Sequence, residues 1–141
     1  MSMAACLTAI QGVWTANWAR TEPVRWHQNT GETIPAAGTY PHWLHLAVEF
    51  AEEEVVAFGA GRGLNERRLR GSVVIRGYAE SGRGETTLLA MLDAAVAAFR
   101  SKRVGDLSFV GVMVLPEPGA SKDGNWWIRT GIAPFEYRFR G

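Results

Sequence analysis

The stretch at residues 54–78, EVVAFGAGRGLNERRLRGSVVIRGY, decides the fold class because a glycine cluster runs directly into a patterned segment. Glycines can let backbone N–H groups approach a phosphate, but a phosphate-binding loop needs a helix after it. Leu69, Val73 and Ile75 instead alternate with polar neighbours, and a period of two is typical of a strand. The sequence therefore predicts that these glycines join two strands in a hairpin and bind no nucleotide.

A second pair of glycines, Gly82 and Gly84, stands before a segment with the periodicity of an amphipathic helix. Apolar residues recur from Leu88 to Phe99 at spacings of three and four, which predicts a helix over residues 85–100 that buries one face. A dinucleotide-binding loop would have a third glycine and begin a parallel strand–helix–strand unit. The third glycine is absent, so we expect neither glycine cluster to hold a phosphate.

Shorter patterns predict the remaining elements. Apolar spacing over residues 2–19 predicts an N-terminal helix. Residues 19–41 show neither period, and this segment is either a long functional loop or contains a short strand at residues 24–26. The other predictions are strands at residues 43–50 and 55–58 around a solvated turn at 52–54, a central strand at 109–115, and strands within 126–139 with a bulge near Pro134.

Composition describes an ordinary globular protein. The 141 residues are 47% hydrophobic and 21% charged, which suits one domain with a real core. The net charge of +1 produces no global attraction to nucleic acid or membrane. Cys6 stands alone, which excludes an intrachain disulfide and suits a reducing compartment, and no apolar run approaches the roughly 20 residues of a membrane span. We predict a single α+β domain over residues 1–141, mainly an antiparallel sheet with two helices packed on one face.

No pattern in the sequence predicts an active site or a metal site. His42 and His45 point to opposite faces of their predicted strand, so they cannot share one metal ion. Cys6 lies in a helical stripe, where a buried structural thiol is the usual case. No serine stands in a nucleophile elbow, and three consecutive glutamates are typical of a solvated turn. We therefore predict no catalytic residue, cofactor or metal, and no enzymatic activity.

The arginines allow two interpretations. Arg68, Arg70 and Arg76 share one strand face, and Arg138 and Arg140 share another. Both faces are either simply solvated or form a basic surface for nucleic acid or an acidic protein partner. The small net charge argues against a dedicated nucleic-acid module, although such a module and a small enzyme with an unrecognised site stay as alternatives. Trp126 and Trp127 have opposite parities, so we expect one of them to lie outside the core or against a partner.

The order of these elements resembles the phage tail terminator proteins of the lambda type, and in particular a small tail-terminator-like family of phage and prophage genomes. The resemblance rests on a short N-terminal helix, a loop with prolines and glycines, and four later segments. These segments are PHWLHLAVEF, RRLRGSVVIRGY, LLAMLDAAVAAF and WWIRTGIAPFEYRFR. The resemblance extends over nearly the whole chain and includes no catalytic motif.

The resemblance implies a structural protein of virion assembly. Members of the family form a hexameric ring that caps the growing tail tube and later meets the head-completion proteins. The expected partners are further copies of this chain, the tail tube protein and a head-completion protein, with no membrane and no specific nucleic acid. The expected location is the bacterial host cytoplasm during assembly and then the head-proximal end of the virion tail.

Contacts between neighbouring subunits are expected to use the charged strand faces, because such faces set register and reject wrong partners. In this hypothesis the arginines of one subunit meet the acidic residues of the next. The predicted interface residues are Arg68, Arg70, Arg76, Arg138, Arg140, Glu52, Glu53 and Glu54.

Overall fold

The computed structural model describes residues 2–27, 41–57, 65–80, 82, 85–114, 119–120 and 126–140. Two helices are described, α1 (Ser2–Asn17) and α2 (Thr86–Phe99). The strands are β1 (Val24–Trp26), β2 (His42–Ala57), β3 (Glu66–Glu80), β4 (Arg103–Val104), β5 (Leu107–Phe109), β6 (Met113–Val114), β7 (Gly119–Ala120) and β8 (Trp126–Arg140). Because the chain is mostly sheet with two helices, it belongs to the α+β class as predicted.

Three long antiparallel strands form the centre of one curled sheet, which has the order β1-β2-β3-β8-β5-β4. Strand β3 pairs with β8 along its whole length, from Glu66 opposite Arg140 to Glu80 opposite Trp126. The short strands β5, β6 and β7 pair with successive parts of β8 and therefore line its other edge. Strand β1 adds to β2 in the parallel direction, so the sheet is antiparallel except at this edge.

The main core contains buried residues of both helices and residues from one face of the long strands. Strand alternation and register place Leu46, Ile75 and Gly131 in one cross-strand row on this side of the sheet. Fully buried members from the helices and strands include Cys6, Ile10, Leu44, Leu46, Val73, Ile75, Leu88, Met91, Leu92, Phe99, Ala133 and Phe135. Burial of these side chains supplies the main driving force for the fold.

Two glycines of β3 allow other groups to approach the strand closely. A Cβ at Gly77 would lie 3.0 Å from Cδ1 of Leu88 and 3.3 Å from Cε of Met91, so α2 packs directly over this position. A Cβ at Gly71 would lie 2.2 Å from the carbonyl oxygen of Glu49, a separation that no real side chain tolerates. Helix packing and strand pairing therefore both depend on the missing side chains of β3.

A smaller aromatic cluster lies on the opposite side of the sheet. Trp43, Tyr78 and Trp126 are buried, and Ile128 packs against them. The rings of Trp43 and Tyr78 stack with centroids 4.0 Å apart, and Trp126 meets Trp43 edge to face at 6.0 Å. Because Trp43 precedes Leu44 of the main core, the two side chains project from opposite faces of β2. One end of the sheet is thus apolar on both sides.

Several sequence predictions are confirmed. Strand β3 and helix α2 lie where the two periodicities placed them, α1 is present, and β1 resolves the open question about residues 24–26 in favour of a short strand. Strands β2 and β3 pair antiparallel, as a hairpin requires. The glycine loop at residues 58–64 lies outside the described residues, so its turn and its lack of nucleotide binding stay predictions.

The predicted turn at residues 52–54 is wrong, since all three glutamates lie within the single long strand β2. A β-bulge shifts the register between Phe50 and Glu52. The extra residue lets Phe50 pair with Gly71 on the core side while Glu52 pairs with Arg70 on the other side. Cross-strand arginines provide opposite charges for Glu52 and Glu54, which is why an acidic run continues as strand.

The predicted central strand at residues 109–115 is also wrong. Strand β5 ends at Phe109, Val110 is 64% exposed, and β6 contributes only Met113 and Val114 to the sheet. Both short strands pair with β8. Within the described part of the chain, β6 has no second partner strand, and the second partner of β5 is the two-residue strand β4. The apolar residues of this segment therefore do not form one continuous strand that is buried on both faces.

Strand β8 contains no bulge near Pro134, contrary to the sequence prediction. Its register with β3 is continuous from Trp126 to Arg140. The change of apolar parity along β8 has a different cause: Trp126 and Ile128 pack into the aromatic cluster on one side, whereas Phe135 packs into the main core on the other. The buried face changes along the strand, and the strand itself stays regular.

Candidate functional site: the charged face of the sheet

The side of β2, β3 and β8 that faces away from the main core carries most of the charged strand residues, and we call it the charged face. Register brings Glu52, Arg70 and Glu136 into one row across the three strands. The next row toward the end of the sheet contains Glu54, Arg68 and Arg138 in the same order. Charges alternate across the three strands in the first row, which is the favourable arrangement for cross-strand pairs, whereas Arg68 and Arg138 of the second row are both basic and lie opposite each other.

These rows form a ladder of ion pairs within the chain. Arg70 bridges two strands, with Nη1 3.1 Å from Oε1 of Glu52 and Nη2 3.2 Å from Oε1 of Glu136. Arg68 hydrogen-bonds Glu54 and lies 3.8 Å from Glu136. The hydrogen bonds to Glu52 and Glu136 raise the pKa of Arg70, so its charge is fixed at every physiological pH.

The ladder changes the interpretation of the predicted interface residues. The ion pairs expected between Arg68 or Arg70 and a neighbour's glutamates are formed inside one chain, with Glu54 and Glu52. Arg138 likewise donates to Oε1 of Glu66 at 3.0 Å. Contact of these residues with another subunit stays a prediction, and such a contact would meet a ladder that is already neutralised.

The other predicted interface residues have different positions. Glu53 pairs with Leu69, whose side chain is buried in the main core, so Glu53 does not belong to the ladder rows. Arg140 is exposed at the end of β8, and Arg76 is exposed near the middle of β3. The structure therefore brings Glu52, Glu54, Arg68, Arg70 and Arg138 together and leaves the other three outside this group.

A second row of the same face has basic residues on three neighbouring strands, and we call it the basic row. Arg25 of β1 lies opposite His45 of β2, and His45 lies opposite Arg76 of β3. The row ends at Thr130 of β8. The guanidinium carbon of Arg25 lies 6.0 Å from the ring centroid of Trp43, which packs it toward the aromatic cluster. Sequence reasoning missed this row because β1 was only one of two alternatives and its register could not be inferred.

A depression of about 220 Å³ lies beside the basic row. Its lining includes the small apolar residues Ala47 and Val74. It also includes the polar residues His27, His45, Arg76 and Glu49. The rings of His27 and His45 meet edge to face with centroids 5.5 Å apart. His45 is 4% exposed, so one imidazole is buried against the sheet.

A separate polar junction connects the start of α2 to β8. Glu85 accepts hydrogen bonds from Nε1 of Trp127 and Nε of Arg129, each at 2.8 Å. The hydrogen bond from Trp127 and then that from Arg129 lower the pKa of the Glu85 carboxyl. Trp126 is buried and Trp127 packs against the main core while it holds Glu85. The two tryptophans therefore lie on opposite sides of the sheet, and Trp126 lies outside the main core, as predicted for one of them.

The groups considered for catalysis and metal binding are not brought together. In the part of the chain that the structure describes, no three His, Cys, Asp or Glu side chains are placed to hold a metal ion. Cys6 is fully buried, and burial raises the pKa of its thiol to about 12, which keeps it protonated and unreactive. Neither described helix is long and apolar enough to cross a membrane.

Comparison with known proteins supports the fold and gives no functional description. No protein-family model matches the chain, and no curated protein matches it. One protein of solved structure, whose name describes no function, is similar with a TM-score of 0.54 and 22% identity. The similarity covers 92% of this chain and 96% of that chain. At this identity the similarity shows that the two chains share a fold from near one end to the other.

Proposed function

We propose that this chain is a structural subunit of a phage or prophage tail, which assembles with copies of itself into a ring that terminates the tail tube and helps join the tail to the head. The observation that carries the proposal is the charged face, an exposed sheet surface whose charged side chains hold one another in position. The resemblance in element order to tail terminator proteins supplies the function that such a surface would serve.

The ladder suits a contact surface better than a stabilising core. Arg70 and Glu52 are 41% and 54% exposed, and ion pairs at this exposure contribute little to stability. Their pairing does fix the direction of long, flexible side chains before any partner arrives. Preorganised charges mainly determine register and reject wrong partners, and both properties are needed where identical subunits must close a ring.

The arrangement of the helices supports the same proposal. Helix α2 packs over Gly77 on the core side of the sheet, and α1 contacts α2 through the stacked rings of Trp14 and Phe99, 5.6 Å apart. We propose that both helices cover this one side, which leaves the charged face for neighbouring subunits, the tube protein or a head-completion protein. The subunit would assemble in the host cytoplasm and remain at the head-proximal end of the virion tail.

Light scattering over a concentration series tests ring formation, both for the chain alone and with the tube protein of the same phage added. Ring contacts are head-to-tail, and assembly stops at one closed size when the rotation between neighbouring subunits closes. We expect a plateau at a fixed multiple of the 15.5 kDa subunit mass in at least one of the two conditions. A mass of one subunit at every concentration, with and without tube protein, would contradict the ring.

A matched pair of charge reversals locates the contact surface. Arg140→Glu changes an exposed arginine at the end of β8, and Arg103→Glu makes the same change at an exposed arginine of the edge strand β4. We expect Arg140→Glu to lower assembly and Arg103→Glu to leave it unchanged. Equal effects of the two variants would show that net charge, and not the charged face, controls assembly.

A further inference from the structure

We propose that the depression beside the basic row is a binding site for one small oxyanion, a carboxylate or phosphate group, held between Arg76 and the imidazoles of His27 and His45. The site is separate from the ion-pair ladder and does not depend on ring formation. Its ligand would be a small anionic metabolite, or an anionic group of similar size on a larger molecule.

The first support is the group of basic side chains that register brings together. Arg25, His45 and Arg76 stand side by side on β1, β2 and β3, and His45 and Arg76 both line the depression. Guanidinium and imidazole groups donate N–H hydrogen bonds, and carboxylate and phosphate oxygens accept them.

The second support is the state of Arg76. On the same face, Arg68, Arg70 and Arg138 each have a carboxylate partner. Arg76 is exposed and forms no ion pair or hydrogen bond within the residues that the structure describes. A guanidinium group recognises carboxylate and phosphate through paired N–H donors. Its donors are therefore available to a ligand in the adjoining depression.

The third support is the lining of the depression. Nδ1 of His27 is buried and has no hydrogen-bond partner among the described residues, and a buried polar atom of this kind is costly unless a ligand or water satisfies it. Small apolar residues, Ala47 and Val74, also line the depression, and a lining of low polarity strengthens electrostatic interactions within it. A volume of about 220 Å³ exceeds what a single water molecule needs.

Glu49 limits the charge that the site can accept. Its carboxylate lines the depression together with His27, His45 and Arg76, so its negative charge offsets part of the attraction that Arg76 exerts on an anion.

NMR titration of the imidazole resonances of His27 and His45 tests the proposal directly. Acetate and inorganic phosphate would be added separately at constant ionic strength, with sodium chloride as the control salt. We expect at least one oxyanion to shift both resonances with saturation. Preference for acetate would assign a carboxylate ligand, and preference for phosphate would assign a phosphate ligand.

Two arginine variants show whether the shifts belong to this site. Arg76→Gln should weaken binding by about tenfold or more, as loss of a hydrogen bond to a charged group does. Arg70→Gln removes the same charge from the same strand face outside the depression, and it should change affinity by less than about twofold. Shifts that chloride reproduces, or that persist with equal affinity in Arg76→Gln, would overturn the proposal.

Discussion

At the scale of single residues, close approaches decide which substitutions the fold accepts. Two glycines of β3 illustrate this, because other groups occupy the space that their side chains would fill. Gly77 makes room for α2, and Gly71 makes room for the backbone of β2 and the ring of Phe135. The sequence showed glycines within an alternating pattern, but only the packing shows that a side chain at these positions would clash with its neighbours.

Gly71→Ala should destabilise the protein by about 1–3 kcal/mol, because the new methyl group overpacks a site that includes rigid backbone. The carbonyl oxygen of Glu49 and Cζ of Phe135 would lie 2.2 and 2.8 Å from the added Cβ. Gly12→Ala is the control, since α1 leaves open space at Gly12 and alanine favours helices by about 0.5–1 kcal/mol. Urea unfolding measures both changes, and equal stability of the two variants would contradict the packing at Gly71.

Glu85 is a single residue that makes the stability of the fold depend on pH. Hydrogen bonds from Trp127 and Arg129 lower its pKa in the folded protein below the ordinary value of about 4.3. A lowered pKa stabilises the fold above the unfolded-state pKa, and this stabilisation is lost as the pH falls through the folded-state pKa. Glu85→Gln should therefore reduce stability at pH 7 and show a smaller further loss between pH 5 and 3 than the unsubstituted protein. Urea unfolding followed by tryptophan fluorescence measures the stability of both proteins across this pH range. If the two stabilities change with pH in parallel, Glu85 does not contribute to the pH dependence.

At the scale of elements, periodicity predicted the parts of the fold that have one buried face. Strand β3 and helix α2 each bury one face against the main core, so their periods of two and of three to four were readable. Strand β8 did not meet this condition, because Trp126 and Phe135 are buried on opposite sides of the sheet. The glutamates of β2 appeared to be a turn because their partners, Arg68 and Arg70, lie on another strand.

Register explains why the candidate site was only partly predictable. The parity of Arg68, Arg70 and Arg76 on one face could be inferred from a single strand, and it is correct. Their different partners depend on which residues of β1, β2 and β8 lie opposite, and a single sequence does not specify that pairing. The basic row needed both the existence of β1 and its alignment of Arg25 with His45.

The bulge in β2 gives a prediction at this scale. Ala51 is the extra, exposed residue between the pairs Phe50–Gly71 and Glu52–Arg70. Deletion of Ala51 should keep both pairs and cost less than about 1.5 kcal/mol, because the strand can continue without the bulge. Deletion of Ala47 should cost more than about 3 kcal/mol, because it moves the following core residues to the wrong face. If urea unfolding shows that both deletions are equally tolerated, β2 does not have this register.

At the scale of the whole molecule, one side of the sheet carries the core and the other carries organised charge. The ladder and the basic row share the charged face, but they differ in what they offer a partner. The ladder presents charges that are already paired and fixed, which suits selective contact between proteins. The basic row presents Arg76, which forms no ion pair within the described residues, beside a depression of a size that suits a small anion.

The central claim, that the chain terminates phage tails, is tested most directly by electron microscopy of particles from a phage or prophage that lacks this gene. Tail lengths and the presence of heads would be scored in the deletion strain, and again after the gene is supplied from a plasmid. Without the ring at the tube end, tails should vary widely in length and lack heads, and the plasmid should restore both properties. Tails of normal, uniform length with attached heads in the deletion strain would contradict the claim.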